Sequence, residues 1–365
     1  MKSDLLKRGG RTLLALLAKE WLFFIAALGL IATTVAVGHL PKVSERDLTP
    51  ILLLWGFFVT LKGIENSRAL CHASCRLERL PALGPSLVLI ALLLGMFLTI
   101  DVALVTLVPL LFAMRLSRRN LMILLASFAA HIGAALFPFG TPQNLFIYAH
   151  YQPGLLPFLQ TIAPFVLGMT ILLLAAVSFA GVRRLSTLSR QPERPLKPIH
   201  TVLYLVFFLL LVLAVIGLLP WGVVLLPLLY AWLFDLESLR VDYFLLLTFV
   251  LFLALSANVH ELIAPWVHRP HHIFLLAAAM SQLISNVPTT LLLQPITPYW
   301  QALLWGSNVG GFGTPIAALA NLILLRLYRQ YHGTIDGRFW SLFLIGNLLI
   351  LAAGIGLYFL LHLIR

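Results

Sequence analysis

Charge is what this sequence has least of. Of its 365 residues only 10% are charged, 13 of them acidic, while 61% are hydrophobic and the mean hydropathy is +0.98. That excludes an ordinary soluble chain and places most of the residues in lipid. The longest polar stretch, Arg183 to His200, reads as a linker and is too short for a separate domain. Cysteine is nearly absent. Cys71 and Cys75 imply no disulfide framework. A helix would put them on one face. With His72 beside them, the alternatives are a metal or soft-anion site and two small apolar residues on a buried face. No P-loop motif occurs, so no ATPase of the chain's own is expected. The first apolar run follows Lys2, Lys7, Arg8 and Arg11 but has no small-residue cleavage site, so a retained span is expected.

The net charge of +12 is carried in short basic clusters between apolar runs. Such clusters are orientation signals and argue against a nucleic-acid partner. With the N-terminus in the cytoplasm, spans are expected at about 15–38 and 50–62. Lys62, Arg68, Arg76 and Arg79 then return to the cytoplasm on a short amphipathic segment. The apolar run 83–113 is too long for one span and is flanked on both sides by arginines, so a re-entrant hairpin is expected, with its tip at Thr99-Ile100-Asp101. A helix over 119–150 crosses outward and a span over 157–182 returns. Spans at 200–218, 220–234 and 241–257 follow, with 258–272 outside. A second hairpin over 273–298, a helix over 300–330 and a last span over 339–363 complete the chain. Only Lys42, Arg46, Arg269 and Arg365 of the 25 basic residues then lie outside.

One motif occurs twice. Residues 129–144 read AAHIGAALFPFGTPQN and residues 306–321 read GSNVGGFGTPIAALAN. At one constant spacing, His131 falls on Asn308, Gly133 on Gly310, Pro138 on Pro315 and Asn144 on Asn321. Glycine and proline inside an apolar segment interrupt a helix, and paired interrupted helices mark the midplane binding site of secondary transporters. The expected fold is therefore an all-α polytopic membrane protein of two inverted-topology repeats, with about nine crossings. The first repeat is 1–182, with its hairpin at about 83–114. A cytoplasmic linker and connecting helix span 183–219. The second repeat is 220–365.

The residues that could carry chemistry sit at these interruptions. Asp101 is far in sequence from any other charge. A carboxylate at bilayer depth costs about 2.5–3.5 kcal/mol on insertion scales, so it needs a cation, a proton or a polar cavity. With Thr99 it forms the first tip, and by position Asn286 answers it. Ser285, Asn286, Pro288, Thr289 and Thr290 form the second tip, where a helix starting just beyond would point its N–H groups at an anion. The interrupted helices contribute His131, Gly133, Thr141, Gln143 and Asn144 in one half. Ser307, Asn308, Gly310, Gly311, Thr314 and Asn321 answer them in the other. Glycines let backbone approach a ligand closely. His131 is open between proton or anion chemistry and a neutral structural role. For the polar tips the bland alternative is capping and small-residue packing. His268-Arg269-Pro270-His271-His272 matches a single histidine box, as in membrane di-iron desaturases, but has no companion box. His260-Glu261 lacks the spaced histidine of a zinc protease.

The tips TID and SNVPTT, with GTPQN and GSNVGGFGTPIAALAN, resemble the ion transporter superfamily. That group includes arsenite efflux pumps, sodium/proton antiporters, citrate transporters and divalent anion/sodium symporters. The resemblance follows the order of elements along essentially the whole chain. It implies hairpin tips and interrupted helices that enclose the site, a homodimer, and an elevator-type motion of a transport part against a scaffold. It implies horizontal arms at 66–80 and 258–272 and a bacterial inner-membrane location, and the distribution of basic residues puts the C-terminus outside. The chain departs from the dicarboxylate symporters, whose tips both carry Ser-Asn-Thr. Here they read Thr99-Ile100-Asp101 and Ser285-Asn286-Val287, so Asp101 fits the arsenite and antiporter pattern better.

Taken together, the leading expectation is a secondary transporter of a small anion or oxyanion with no cofactor other than a coupling Na⁺ or H⁺ at Asp101, and not an enzyme. His131, Asn286 and Asn308 would contact substrate or ion. The alternatives are a cation/proton antiporter using Asp101 and, from another class, a membrane metal enzyme using the outer histidines. A soluble ATPase partner is compatible with the sequence but not indicated by it.

Overall fold

The computed structural model describes residues 20–41, 43–69, 72, 84–182, 184–186, 197–263 and 269–363. The described residues are helical nearly throughout. Among them, in chain order, come α1 (Trp21–Val37), α2 (Glu45–Asn66), α3 (Gly84–Leu98), α4 (Ile100–Ala113), α5 (Arg119–Ala134), α6 (Pro142–Tyr151) and α7 (Leu155–Ala180). Then come α8 (Pro198–Val215), α9 (Leu225–Phe234), α10 (Tyr243–Ile263), α11 (Pro270–Ile284), α12 (Asn286–Leu293), α13 (Trp300–Gly310), α14 (Leu319–His332) and α15 (Gly337–Leu363). The exception is a short antiparallel ribbon of β1 (Arg115–Leu116) and β2 (Arg184–Ser186).

Local chemistry sets many boundaries. Ser44 and Asp47 form a capping box at the start of α2, the Ser44 hydroxyl donating to Asp47 Oδ2 at 2.6 Å. Pro142, Pro198 and Pro270 stand in the first turns of α6, α8 and α11, where no backbone N–H is missed. Gly38 and Gly181 end α1 and α7 in the left-handed conformation.

Among the described residues five helical stretches are long and apolar enough to cross a bilayer: 47–66, 155–180, 198–215, 236–260 and 337–362. The protein is thus a multi-pass membrane protein. The other apolar helices are short because they are interrupted where the sequence breaks them. Helix α3 gives way to α4 at Thr99, and α11 to α12 at Ser285. Both residues have positive φ, +120° and +74°, although neither is glycine. A β-branched residue held there is strained and persists only where its surroundings fix it. The other breaks separate α5 from α6 over 135–141 and α13 from α14 over 311–318. Thr141 and Ala318, which precede α6 and α14, share one backbone conformation, φ −143° and −145°, both with ψ 149°.

The helices pack as two groups. Helices α8, α9 and α10 gather on α2, and α1 lies along α10. In the other group α3 packs on α5, α11 on α13, α4 on α14 and α15 on α7. The groups meet where α12 touches α10 and α6 touches α2. The start of α3 lies against Val177 and Val182 at the end of α7, and the strand after α4 pairs with the strand after α7. Both ends of the α3–α4 pair therefore sit at one end of the molecule.

Close helix contact explains several glycines. A Cβ on Gly95 would fall 2.0 Å from Ala130 O, and one on Gly133 2.1 Å from Leu92 O. Backbone cannot yield as a side chain can, so Gly95→Ala should destabilise the protein by about 1–3 kcal/mol, read as a lower melting temperature in detergent.

Two sequence expectations need correction. The stretch 258–272 is not a single outer segment. Residues 258–263 complete α10 and 270–272 open α11, while 264–268 lie outside the described residues. Within that continuation buried Asn258 donates to the hydroxyls of Thr33 and Thr34 on α1, at 3.3 and 3.0 Å, and so ties α10 to α1. The second span is longer than 50–62, because the capping box starts α2 at Glu45. The segment 66–80 falls largely outside the described residues, as do Cys71, Cys75 and His268.

Candidate functional site

A cavity of about 510 Å³ lies between the two helix groups. Helices α1, α2 and α10 supply one wall, including Phe58, Leu61, Thr248 and Phe249. The opposite wall is built from helix beginnings: Asp101 and Val102 of α4, Pro142 and Gln143 of α6, Asn286 to Pro288 of α12, and Leu319 of α14. Four helix N-termini therefore meet one space, and N-termini carry partial positive charge. At the mouth stand Glu20, Lys62, Glu65, Arg240, Asp242 and Arg326, and Lys62 is paired with Glu65 at 2.9 Å.

A second, much smaller cavity of about 20 Å³ adjoins it, lined by Thr99, Asp101, Gly140, Thr141, Pro142 and apolar residues of α2. Asp101 and Thr141 border both spaces. The side-chain oxygens of Thr99 and Thr141 are buried without hydrogen-bond partners.

The remaining sequence-identified residues fall into distinct places. Ser285 and Asn286 line the large cavity. The Asn286 amide reaches Ser307 O at 3.3 Å, and its backbone N–H donates to Ala317 O at 2.9 Å. The Thr290 hydroxyl returns to Asn286 O, whereas that of Thr289 is buried and unpartnered. His131 packs against Phe312 with ring centroids 4.5 Å apart and the rings tilted by 32°. A Cβ on Gly311 would lie 2.5 Å from the His131 ring and 2.9 Å from the Asn286 amide, so only glycine leaves room for both side chains beside the break. Gly133 and Gly310 face neighbouring helices: Gly133 abuts Leu92 backbone and Gly310 abuts Ala278 and Ser281.

The asparagines of the repeated motif hold the breaks. Asn144 donates to Ala135 O at 2.9 Å, and Asn321 to Gly311 O and Thr314 O at 3.1 and 3.0 Å. Asn308 donates to Asn144 Oδ1 at 2.8 Å, which joins the two interrupted helices, and the Ser307 hydroxyl donates within its own helix, to Leu304 O. Thr314 is fixed by Gln282, a residue that lies outside the repeated motif. Gln282 donates to Gly310 O and Phe312 O and accepts from the Thr314 N–H, each at 2.9 Å. A lone amide three residues before the tip, in AAAMSQLIS, was the available signal.

Position along the tips also corrects one pairing. Thr99 and Ser285 both precede a new helix, so Asn286 is the counterpart of Ile100, and Asp101 the counterpart of Val287. Asn286 does not answer Asp101. The outer histidines gather with aromatics: the ring centroids of His271 lie 5.9 Å from Tyr358 and 6.1 Å from His362. Among the described residues no group of three or more potential ligands could hold a metal.

Sequence comparison bears on this arrangement directly. Residues 13–302 match the citrate transporter family. The chain belongs to that family. Its match ends before the second interruption, so the likeness of 306–321 to 129–144 is internal evidence only. The chain is also 33% identical over 314 residues to the inner membrane protein YbiR of Escherichia coli, covering 80% of this chain and 82% of that protein. An uncharacterized transporter of Methanocaldococcus jannaschii is 30% identical over 289 residues, 76% of this chain and 80% of its own length. The cavity is thus the candidate translocation site of a membrane transporter.

Proposed function

We propose that this family member is a secondary active transporter of a small anion, coupled to Na⁺ or H⁺ at Asp101. The observation that carries the reading is the ring of four helix N-termini around one cavity. Such termini attract anions without needing a fixed cationic side chain. The cavity volume suits a small organic or inorganic anion, and the family's description, citrate transporter, puts carboxylates first among candidates.

The strained turns at Thr99 and Ser285 support re-entrant hairpins, and the matching conformations of Thr141 and Ala318 support two inverted repeats, 1–182 and 220–365. An elevator motion would slide the group containing α4, α6, α12 and α14 past α1, α2 and α10. The separation of the helices into two groups with the cavity between them supports it. The mouth carries Lys62, Arg240 and Arg326, which the positive-inside rule assigns to the cytoplasm, so this state is inward-facing in an inner membrane. A homodimer built through the scaffold group completes the proposal.

One observation favours a second reading. The lining holds Lys62, Arg240 and Arg326 against Glu20, Glu65, Asp101 and Asp242, one negative charge in excess. A cation/proton antiporter would use that balance directly. Flux in proteoliposomes, with citrate and a panel of small anions under imposed sodium and proton gradients, separates the two. Anion-dependent flux supports the proposal, and cation/proton exchange without any anion overturns it. In the same assay Asn308→Ala should raise the half-saturating anion concentration about tenfold, because Asn144 Oδ1 loses its partner and the α6 terminus shifts. Gln294→Ala, at a residue outside both cavities, should have the smaller effect, and equal effects would count against the midplane site.

A further inference from the structure

The charges that line the large cavity are divided unequally between its walls. Lys62 and Glu65 belong to α2, Glu20 precedes α1, and Arg240 and Asp242 precede α10. The opposite group contributes only two, Asp101 at the start of α4 and Arg326 on α14. A substrate carried by that group keeps these two beside it and leaves the other five behind. Arg326 is the one cation that would travel with it.

Arg326 is placed to be used. It lines the cavity with Leu319, Leu322 and Ile323, at spacings of three, four and seven residues that form one helix face. It stands seven residues, about 10 Å, along α14 from the N-terminus at the centre of the cavity. Helical side chains lean toward the N-terminus, so its long stem reaches back toward the four helix ends. Lys62 is already paired with Glu65 at 2.9 Å, whereas no carboxylate among the described residues lies within ion-pair distance of Arg326. A guanidinium offers a planar fork of N–H donors that matches a carboxylate or another oxyanion.

The repeat sharpens the point. Thr141 and Ala318 set the register of α6 against α14, and in that register Arg326 answers Ala149. The helix N-termini are duplicated between the halves, and this cation is not. The N-termini suffice for one negative charge. Arg326 stands apart from them, with room between for a second.

We propose that Arg326 pairs with a second negative charge on the bound anion, so that the cavity selects anions of two or more charges over singly charged ones. This deepens the transport reading and rests on it.

The test is proteoliposome flux at neutral pH with citrate, succinate and sulfate beside acetate, lactate and nitrate. Wild type should half-saturate at lower concentration with at least one multiply charged probe than with any singly charged one. Arg326→Gln should raise that concentration about tenfold or more for the multiply charged probes and by no more than about twofold for the others. Arg326→Lys keeps the charge without the fork and should fall between. Arg326 is exposed and unpaired among the described residues, so the melting temperature in detergent should not change in either variant. Equal shifts for both classes of probe would mark a structural role and overturn the inference, as would unchanged selectivity or a wild-type preference for single charge. Each of these leaves anion transport standing. No flux of any anion in wild type would remove the transport reading and the inference together.

Discussion

Asp101→Asn is expected to reduce ion-coupled transport by about a hundredfold or more while the protein still inserts and elutes as a single species. The substitution keeps the size of the side chain and removes its charge. Among the described residues Asp101 is the one carboxylate that borders both the large and the small cavity, so it is placed to answer a coupling cation and a substrate at once. The fold should tolerate the change. Asp101 stands in the first turn of α4, where it gains from the helix dipole, but a carboxylate at this depth also bears a cost of about 2.5–3.5 kcal/mol that asparagine avoids. The two effects oppose each other, and the melting temperature should move little. Flux in proteoliposomes, wild type beside variant, reads the outcome. Transport with unchanged ion dependence in Asp101→Asn would sink the assignment of this residue.

Much of the fold was legible because membranes restrict what a chain can do. Apolar runs of the right length, bounded by arginines, gave spans at 157–182 and 200–218 that differ from α7 and α8 by two or three residues. The breaks were legible because glycine, proline and polar residues stand out in such a chain. Thr99 and Ser285 lie where the tips were expected. What the sequence hid was which way each side chain faces. Gly133 and Gly310 carry the same signal as Gly311, yet the first two admit a neighbouring helix and only the third stands between His131 and Asn286. The repeated asparagines looked like ligands and are bonded to the backbone of the breaks. The one-residue error that set Asn286 against Asp101 has the same origin. Spacing within a tip cannot show which residue begins the next helix until the backbone is seen to turn.

Gln282→Leu should be the most destabilising single change in the site, lowering stability by about 3–6 kcal/mol and taking transport with it. Three backbone groups of the second interruption, in part-buried bonds, depend on this amide: Gly310 O, Phe312 O and the Thr314 N–H. They are the orphan groups of a helix stopped short at bilayer depth, where water cannot replace the lost partner. Leucine fills a similar volume and satisfies none of them, so the cost is about 1–2 kcal/mol for each group left unmade. Gln282→Glu separates the chemistry. A carboxylate can still accept from Thr314 but cannot donate to the two carbonyls, and its charge would be buried beside them, so it should be no better than leucine. The first half offers the contrast. There Asn144 spans the break by donating to Ala135 O, and Asn308 reaches across to it. The second half adds to its own Asn321 a support from α11, so the positions of Gly311, His131 and Asn286 rest on Gln282 from outside the interrupted helix. Thermal unfolding in detergent reads the stability and proteoliposome flux the activity. A Gln282→Leu protein that melts and transports like wild type would show that the interruption holds its shape without this amide.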